Sequence, residues 1–272
     1  MFLTCLACLP VKETDKGLRL YVFDAGNADA MLLCGESVAV LFDTGLKSGA
    51  ESLCVRMKEI GIEKLDLIVI SHFDKDHIGG VEQILADFEV GQICMPAYEP
   101  KGKLYAAMMT AIKDSGTPYT QIEDADFKFS EEEISLSFIP STVEYGGKDG
   151  DDNAQSLICG VSYGDARLLF MGDANGKWLQ ALCYGSYNLT CNLLKIPHHG
   201  VWDDNLLALL TFTLPEFAIV NDSQKHPADA ATAALLDTFG VKVWRTRDGE
   251  CLFVIKRDGT IEMNPKDNSD KQ

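Results

Sequence analysis

The chain has 272 residues, 46% of them hydrophobic and 24% charged, so it has the length and apolar content for a sizeable core and is neither disordered nor collagen-like. Its 41 acidic residues against 24 basic ones leave a formal net charge of −17. That balance argues against a general grip on long nucleic acid, where phosphate neutralisation by a basic face supplies most of the affinity.

The opening MFLTCLACLP is apolar but lacks a positive n-region and stops at Pro10, so residues 1–17 read as a tail or edge strand rather than a signal peptide. LRLYVFDAG (18–26), AMLLC (30–34) and VAVLFDTG (38–45) read as three strands, each bounded by Gly, Asp or Asn. A helix is expected over 49–61, then the wholly apolar strand LDLIVIS (65–71), then a helix from Gly79 in GGVEQILADF. Another helix fits 104–115, and short strands fit 118–122 and 134–139. After the Gly/Asp-rich loop EYGGKDGDDN come the strands SLICGVS and RLLFMGD and a helix from about 176. The strand NLLKIP, a helix near 203–212, the strand FAIV and a helix over 227–239 follow, then VKVW, CLFVIK and TIEM as strands.

This rhythm predicts an α/β fold of two sheets sandwiched between helix layers, as one domain over 18–264, with 265–272 a solvated tail. No run approaches the length needed to cross a bilayer. The nine cysteines are odd in number and scattered, several inside apolar runs, which predicts buried reduced thiols in a cytoplasmic protein. The lone C-x-x-C at 5–8 has no second pair with which to form a zinc ribbon.

All five histidines (72, 77, 198, 199 and 226) fall just beyond predicted strands, where rigid scaffolds present functional groups. The stretch SHFDKDHIGG holds His72, Asp74, Asp76 and His77 within six positions. In an extended segment alternate residues share a face, so His72, Asp74 and Asp76 point together, and a turn after Asp76 brings His77 beside it on a second centre. Imidazole and carboxylate are ligand types for Zn, Mn or Fe. A solvated loop with a capping aspartate explains neither the strand in front nor the density of ligands. Asp173 in LLFMGDANG suits a carboxylate that bridges two metals with its two oxygens, or equally an N-cap. KIPHHG adds His198 and His199. His226, before Pro227, reads equally as a surface residue or a catalytic one.

Strand–HxDxDH–GG, then GD, then PHHG, in that order, resembles the metallo-β-lactamase superfamily, and more narrowly the soluble hydrolase domains of ComEC-type competence proteins. VFDAGNADAMLL is similar to that family's DVGQGDA opening, LFDTG to its DTG, DDNAQSLI to its Asn–Ser segment, and RTRDGECLFV to its closing strand. The resemblance implies the four-layer αββα sandwich and two divalent ions, Zn or Mn. It places His72 and Asp74 on one metal, Asp76 and His77 on the other, Asp173 between them, and His199 as a further ligand. His198 then serves in proton transfer, an assignment that is interchangeable with that of His199. Asp24 and Asp43 stand behind the ligands.

There are departures. Asp74 stands where the commonest motif has histidine, and no histidine lies between 77 and 198; Asn153 or Ser156 is expected in that place. Such an oxygen-rich set leans toward a harder ion such as Mn. Asn27–Ala28 replaces Gln–Gly, and Trp202 stands where serine is common, to stack on a base or simply to pack.

The function this implies is phosphodiester hydrolysis by a metal-activated hydroxide, on a nucleotide or single-stranded nucleic acid and away from membranes. Lys75, Lys225 or a histidine would stabilise developing charge, with His226 or His198 protonating the leaving group and Asp76 central. Alternatives are a lactone, thioester or amide hydrolase of the same fold, a di-iron redox protein, and a non-catalytic binding module, the last motivated by the missing histidine.

Overall fold

In the computed structural model, residues 17–146 and 151–265 are described. The first half runs β1 (Leu18–Val22), β2 (Met31–Cys34), β3 (Ala39–Phe42), α1 (Ala50–Ile60), β4 (Lys64–Leu65), β5 (Leu67–Val69), α2 (Lys75–Ile78), α3 (Val81–Asp87), β6 (Glu89–Val90), β7 (Ile93–Pro96), α4 (Lys103–Ser115) and β8 (Tyr119–Ile122). The second runs β9 (Lys128–Glu131), β10 (Ile134–Ile139), β11 (Ile158–Tyr163), β12 (Ala166–Phe170), α5 (Gly176–Tyr184), β13 (Leu193–Lys195), α6 (Leu206–Thr213), β14 (Phe217–Val220), α7 (Ala230–Thr238), β15 (Lys242–Arg245), β16 (Cys251–Ile255) and β17 (Ile261–Pro265).

Two sheets form. One has eight strands in the order β17-β16-β1-β2-β3-β5-β7-β8, the other seven in the order β15-β14-β13-β12-β11-β10-β9; β4 and β6 make a separate pair. Strand alternation sorts the side chains into layers. Leu18, Leu20, Val22, Met31, Leu33 and Phe42 meet Leu136, Phe138, Val161, Leu168 and Phe170 in a core between the sheets. Phe42 and Phe170 stack across it with centroids 4.0 Å apart. The intervening residues Leu32, Cys34 and Leu41 point outward against Leu53 and Met57 of α1, Ile84 of α3 and Met108 of α4. On the second sheet Ile158, Leu169, Leu194 and Ala218 pack on Trp178, Leu182, Leu209 and Leu236 of α5, α6 and α7. Three cores separate four layers, helix–sheet–sheet–helix. β2, β3 and β14 are buried on both faces and read as unbroken apolar runs for that reason.

Several elements depart from expectation. β7 (ICMP) was not anticipated, and β9 (KFSE) is a mostly exposed edge strand whose polar composition resembles a loop. The metal-capable segment is extended only to Asp74; Lys75–Ile78 then form one helical turn, so Asp76 and His77 lie on a helix and not on the alternating face expected for Asp76. The Cys5–Cys8 pair and the proposed tails, apart from Gly17 and Pro265, lie outside the described residues. The seven described cysteines are free and buried, and burial pushes the Cys94 thiol up to about 12. Among the described residues no helix is long and apolar enough to cross a membrane.

Candidate metal centre

The parallel parts of both sheets end at one edge. β3 pairs parallel with β5, and β12, β13 and β14 are parallel to one another, so their carboxyl ends deliver loops to a common place. Asp43 follows β3, His72 and Asp74 follow β5, Asp173 follows β12, and His198 and His199 follow β13. The helical turn α2 is pressed onto the loop after β3. A Cβ on Gly80 would collide with the carbonyl oxygen of Thr44, and the Thr44 N–H and hydroxyl donate to the His77 carbonyl at 2.7 and 2.8 Å. The Asp29 N–H donates to the Asp76 carbonyl at 3.1 Å. The Gly–Gly pair that follows the ligands is thus required by a backbone-to-backbone contact.

Each buried histidine has Nδ1 engaged and Nε2 without a partner. His77 Nδ1–H donates to Asp43 Oδ2 at 2.7 Å, and His199 Nδ1–H donates to the Asn221 carbonyl at 2.9 Å. Ser71 Oγ donates to Asp43 Oδ2 at 2.7 Å, which leaves it to accept from His72 Nδ1 at 3.0 Å. All three rings therefore carry the proton on Nδ1, and the three buried Nε2 atoms make no hydrogen bond. They converge on one oxygen: Asp173 Oδ2 is 3.1 Å from His199 Nε2, 3.3 Å from His77 Nε2 and 4.0 Å from His72 Nε2. Asp74 Oδ2 flanks His72 Nε2 at 3.7 Å, and Asp76 Oδ2 flanks His199 Nε2 at 3.5 Å.

Unpaired ring nitrogens at full burial, with carboxylates between and beside them, are a donor set that a divalent cation satisfies and that the protein leaves unsatisfied. His72, His77 and Asp173 form one such group. A second, Asp29–His77–His199, uses Nδ1 atoms already bound to Asp43 and Asn221, so it is a supporting layer and not a second metal cage.

Lys195, fully buried in β13, contacts Asp29, donates to the Gly172 carbonyl at 2.8 Å and lies 3.4 Å from Asp173 Oδ1. With Oδ1 held this way, Asp173 offers the histidines Oδ2 alone, instead of one oxygen to each metal as expected. The Asp173 N–H is fixed by Ser156 Oγ at 3.0 Å. Burial opposes the ionised form of Asp173, but His77, His199 and Lys195 outweigh it and hold the carboxyl well below the usual carboxylate range.

The structure brings His72, Asp74, Asp76, His77, Asp173 and His199 together, with Asp43 behind them. It does not bring in all the expected residues. Asp24 is exposed; the buried aspartate behind the ligands is Asp29, the second acid of the same DAGNADA motif. Lys75 and Lys225 are exposed and, among the described residues, form no ion pair with the cluster, whose buried cation is Lys195. His226 is exposed, and its hydrogen bonds are those of its backbone to Ser223. Ser156 serves the Asp173 backbone, and Asn153 Nδ2 lies 3.3 Å from His198 Nε2. His198 is half-buried, and burial lowers its pKa from 6.5, so the ring is neutral at neutral pH. A lysine inside an apolar strand was the available signal for Lys195, since only a buried acid partner makes such a position tolerable.

Beside His198 opens a cavity of about 680 Å³, lined by Asn175, Lys177, Gln180, Trp202 and Asp204 among others. Trp202 is 42% exposed there, its indole N–H donating to Asp204 at 3.2 Å, so its ring is available to a ligand and is not core packing.

A four-layer αββα sandwich with a His/Asp cluster at the carboxyl ends of its parallel strands defines a class of metal-dependent hydrolases. A family model described as the metallo-beta-lactamase superfamily matches residues 23–220, and the chain belongs to that superfamily. It is 30% identical over 261 residues to competence protein ComA of Neisseria gonorrhoeae, covering 92% of this chain and 34% of that one. It is 23% identical over 276 residues to ComE operon protein 3 of Bacillus subtilis, covering 92% and 35%. The chain thus spans about a third of the length of these curated relatives. Among solved structures, CmlA, a diiron beta-hydroxylase from Streptomyces venezuelae, is similar with a TM-score of 0.60 at 13% identity over 89% of this chain and 55% of that one. Tm1679, a metal-dependent hydrolase of the beta-lactamase superfamily, gives 0.57 at 12% identity over 92% and 100%. At these identities the likeness is one of fold.

Proposed function

We propose that the chain hydrolyses phosphodiesters in a nucleotide or a single-stranded nucleic-acid end, using two divalent cations, zinc or manganese. The observation that carries the hydrolase part is the convergence of three unpartnered ring nitrogens on one oxygen of Asp173, flanked by Asp74 and Asp76. When bound, a metal pair lowers the pKa of water toward neutrality and clamps the oxygens of the reacting group. His72, Asp74, Asp76, His77, Asp173 and His199 would hold that pair.

The chain's other residues prepare the site. Asp43, Ser71 and the Asn221 carbonyl lock the tautomers, and Lys195 balances the carboxylates Asp29 and Asp173. His198, neutral at the cavity rim, suits accepting a proton or a hydrogen bond from substrate better than acting as the acid first expected. Trp202 supports the choice of a base-containing substrate, because stacking on an aromatic face is worth about 1–3 kcal/mol per base. The net charge of −17 favours a short or single-stranded substrate over long duplex.

Protein refed with Mn or Zn should hydrolyse bis-p-nitrophenyl phosphate. His77→Ala should lose more than about 100-fold, since even outer partners of metal ligands are worth 10–100-fold. Rapid lactone cleavage by a wild type with no phosphodiester turnover would overturn the substrate class in favour of the lactone, thioester or amide reading.

A further inference from the structure

The three metal-capable rings stand in a row, with the His77 centroid 4.0 Å from that of His72 and 5.5 Å from that of His199. Both ends of the row lead to an aromatic side chain at the surface. At the His72 end, the N–H of the next residue, Phe73, donates to Tyr98 Oη at 3.2 Å, and the two rings pack with centroids 4.8 Å apart. Tyr98 is buried, and its ring packs at 4.6 Å on that of Tyr145, which is 39% exposed. Phe73, Tyr98 and Tyr145 thus form a column of aromatic contacts from the ligand loop to the surface. The Tyr145 loop is itself pinned: Gln155 Nε2 donates to the Val143 carbonyl at 2.9 Å, and Ser141 Oγ donates to the Ala154 carbonyl at 2.6 Å. The neighbouring Asn153 lies 3.3 Å from His198 Nε2, which ties the same segment to the second histidine loop.

At the His199 end the chain passes through Val201, whose N–H donates to the His198 carbonyl at 2.8 Å, to Trp202. The Trp202 N–H donates to Asp229 Oδ2 at 2.7 Å, so its backbone is fixed while its ring stands 42% exposed on the wall of the cavity. At about 680 Å³ that cavity is of the size that holds small ligands. Its other walls carry Asp151, Asp203 and Asp204 against Lys177. That balance repels a further phosphate but lets an uncharged base lie on the indole.

We propose that the site takes a phosphodiester with a base on each side, one base lying on Tyr145 and the other on Trp202, so that the bond cut is an internal one of a single-stranded oligonucleotide and not the ester of a lone mononucleotide. The proposal rests on the phosphodiesterase reading above and adds to it the number of bases that the site engages. Hydrolysis adds water across one P–O bond, leaving the phosphate on one nucleoside and a hydroxyl on the other. Every base has a π-face, so two stacking platforms accept any sequence. A base that is paired and stacked in a duplex is not free to lie on either ring, which makes the arrangement selective for single strands.

The test is hydrolysis by Mn-refed protein of the dinucleotide TpT and of two analogues, each lacking the thymine on one side. Bis-p-nitrophenyl phosphate is the reference substrate, and thermal unfolding is the folding control. Wild type should prefer TpT over either analogue by about 5- to 150-fold in kcat/KM, the fold-change equivalent to stacking one base on an aromatic ring. Trp202→Ala should abolish the preference on one side and keep the other, and Tyr145→Ala should do the reverse, each at wild-type Tm. Trp202→Phe and Tyr145→Phe, which keep a ring, should retain both preferences. A wild type that hydrolyses bis-p-nitrophenyl phosphate yet shows a preference on one side or neither would overturn the two-base proposal and leave the phosphodiesterase reading standing. Alanine variants that lower both preferences together, or neither, would do the same. No turnover of any phosphodiester would overturn both.

Discussion

Asp43 shows how a single side chain decides the chemistry of its neighbours. Its Oδ2 accepts hydrogen bonds from His77 Nδ1–H and Ser71 Oγ–H, and those two bonds turn the Nε2 lone pairs of His77 and His72 inward. The same carboxylates set a pH dependence for protein stripped of metal. Burial works to lower the His199 pKa, but Asp173, Asp76 and Asp29 outweigh it and hold the ring up to about 9, against 6.5 for a free ring. Burial works to raise Asp76, but His199 and His77 outweigh it and bring it down to about 2, against 3.8. The His199 contribution to stability is full below 6.5 and lost as pH rises through about 9; that of Asp76 is full above 3.8 and lost as pH falls through about 2. The stripped protein should therefore have its highest Tm between those limits and lose it toward pH 9. Metal loading, which displaces the proton, should remove that alkaline decline. A Tm of stripped protein that rises from pH 6.5 to 9 would contradict this assignment. At this scale the cluster was legible because four metal-capable side chains in six positions have few other uses. Asp29 and Lys195 were not, since burial decided between the two acids of DAGNADA and no local pattern reports a salt bridge between strand interior and loop.

The element that does most to shape the site is α2, a single turn of helix too short to be stable alone. It is held by Thr44 and Asp29 through its carbonyl oxygens, and by the absence of a side chain at Gly80. Gly80→Ala should cost about 1–3 kcal/mol by overpacking against the Thr44 backbone, measured by urea unfolding, and should weaken metal binding with it because Asp76 and His77 ride on the same turn. An alanine variant with wild-type stability and metal affinity would show that the close approach is not needed. Periodicity revealed the helix that follows and the apolar strand in front. It missed the turn between them because four residues carry no period, and it missed β9 because that strand is a polar edge.

Across the whole molecule, three apolar cores separated by two sheets bring the carboxyl ends of β3, β5, β12, β13 and β14 to one edge, where the candidate centre lies. The sandwich was foreseeable from the succession of strands, then alternating helices and strands, then strands again. Which loops would meet was foreseeable only through the order of the motifs, because the two sheets face each other across pairings that no local pattern encodes. The most direct test of the account is the metal content of the refed wild type, measured by mass spectrometry after removal of excess ion. Two equivalents of Mn or Zn per chain are predicted, held by a cluster whose three Nε2 atoms have no other partner. One equivalent or none would contradict the dinuclear centre on which the proposed activity depends.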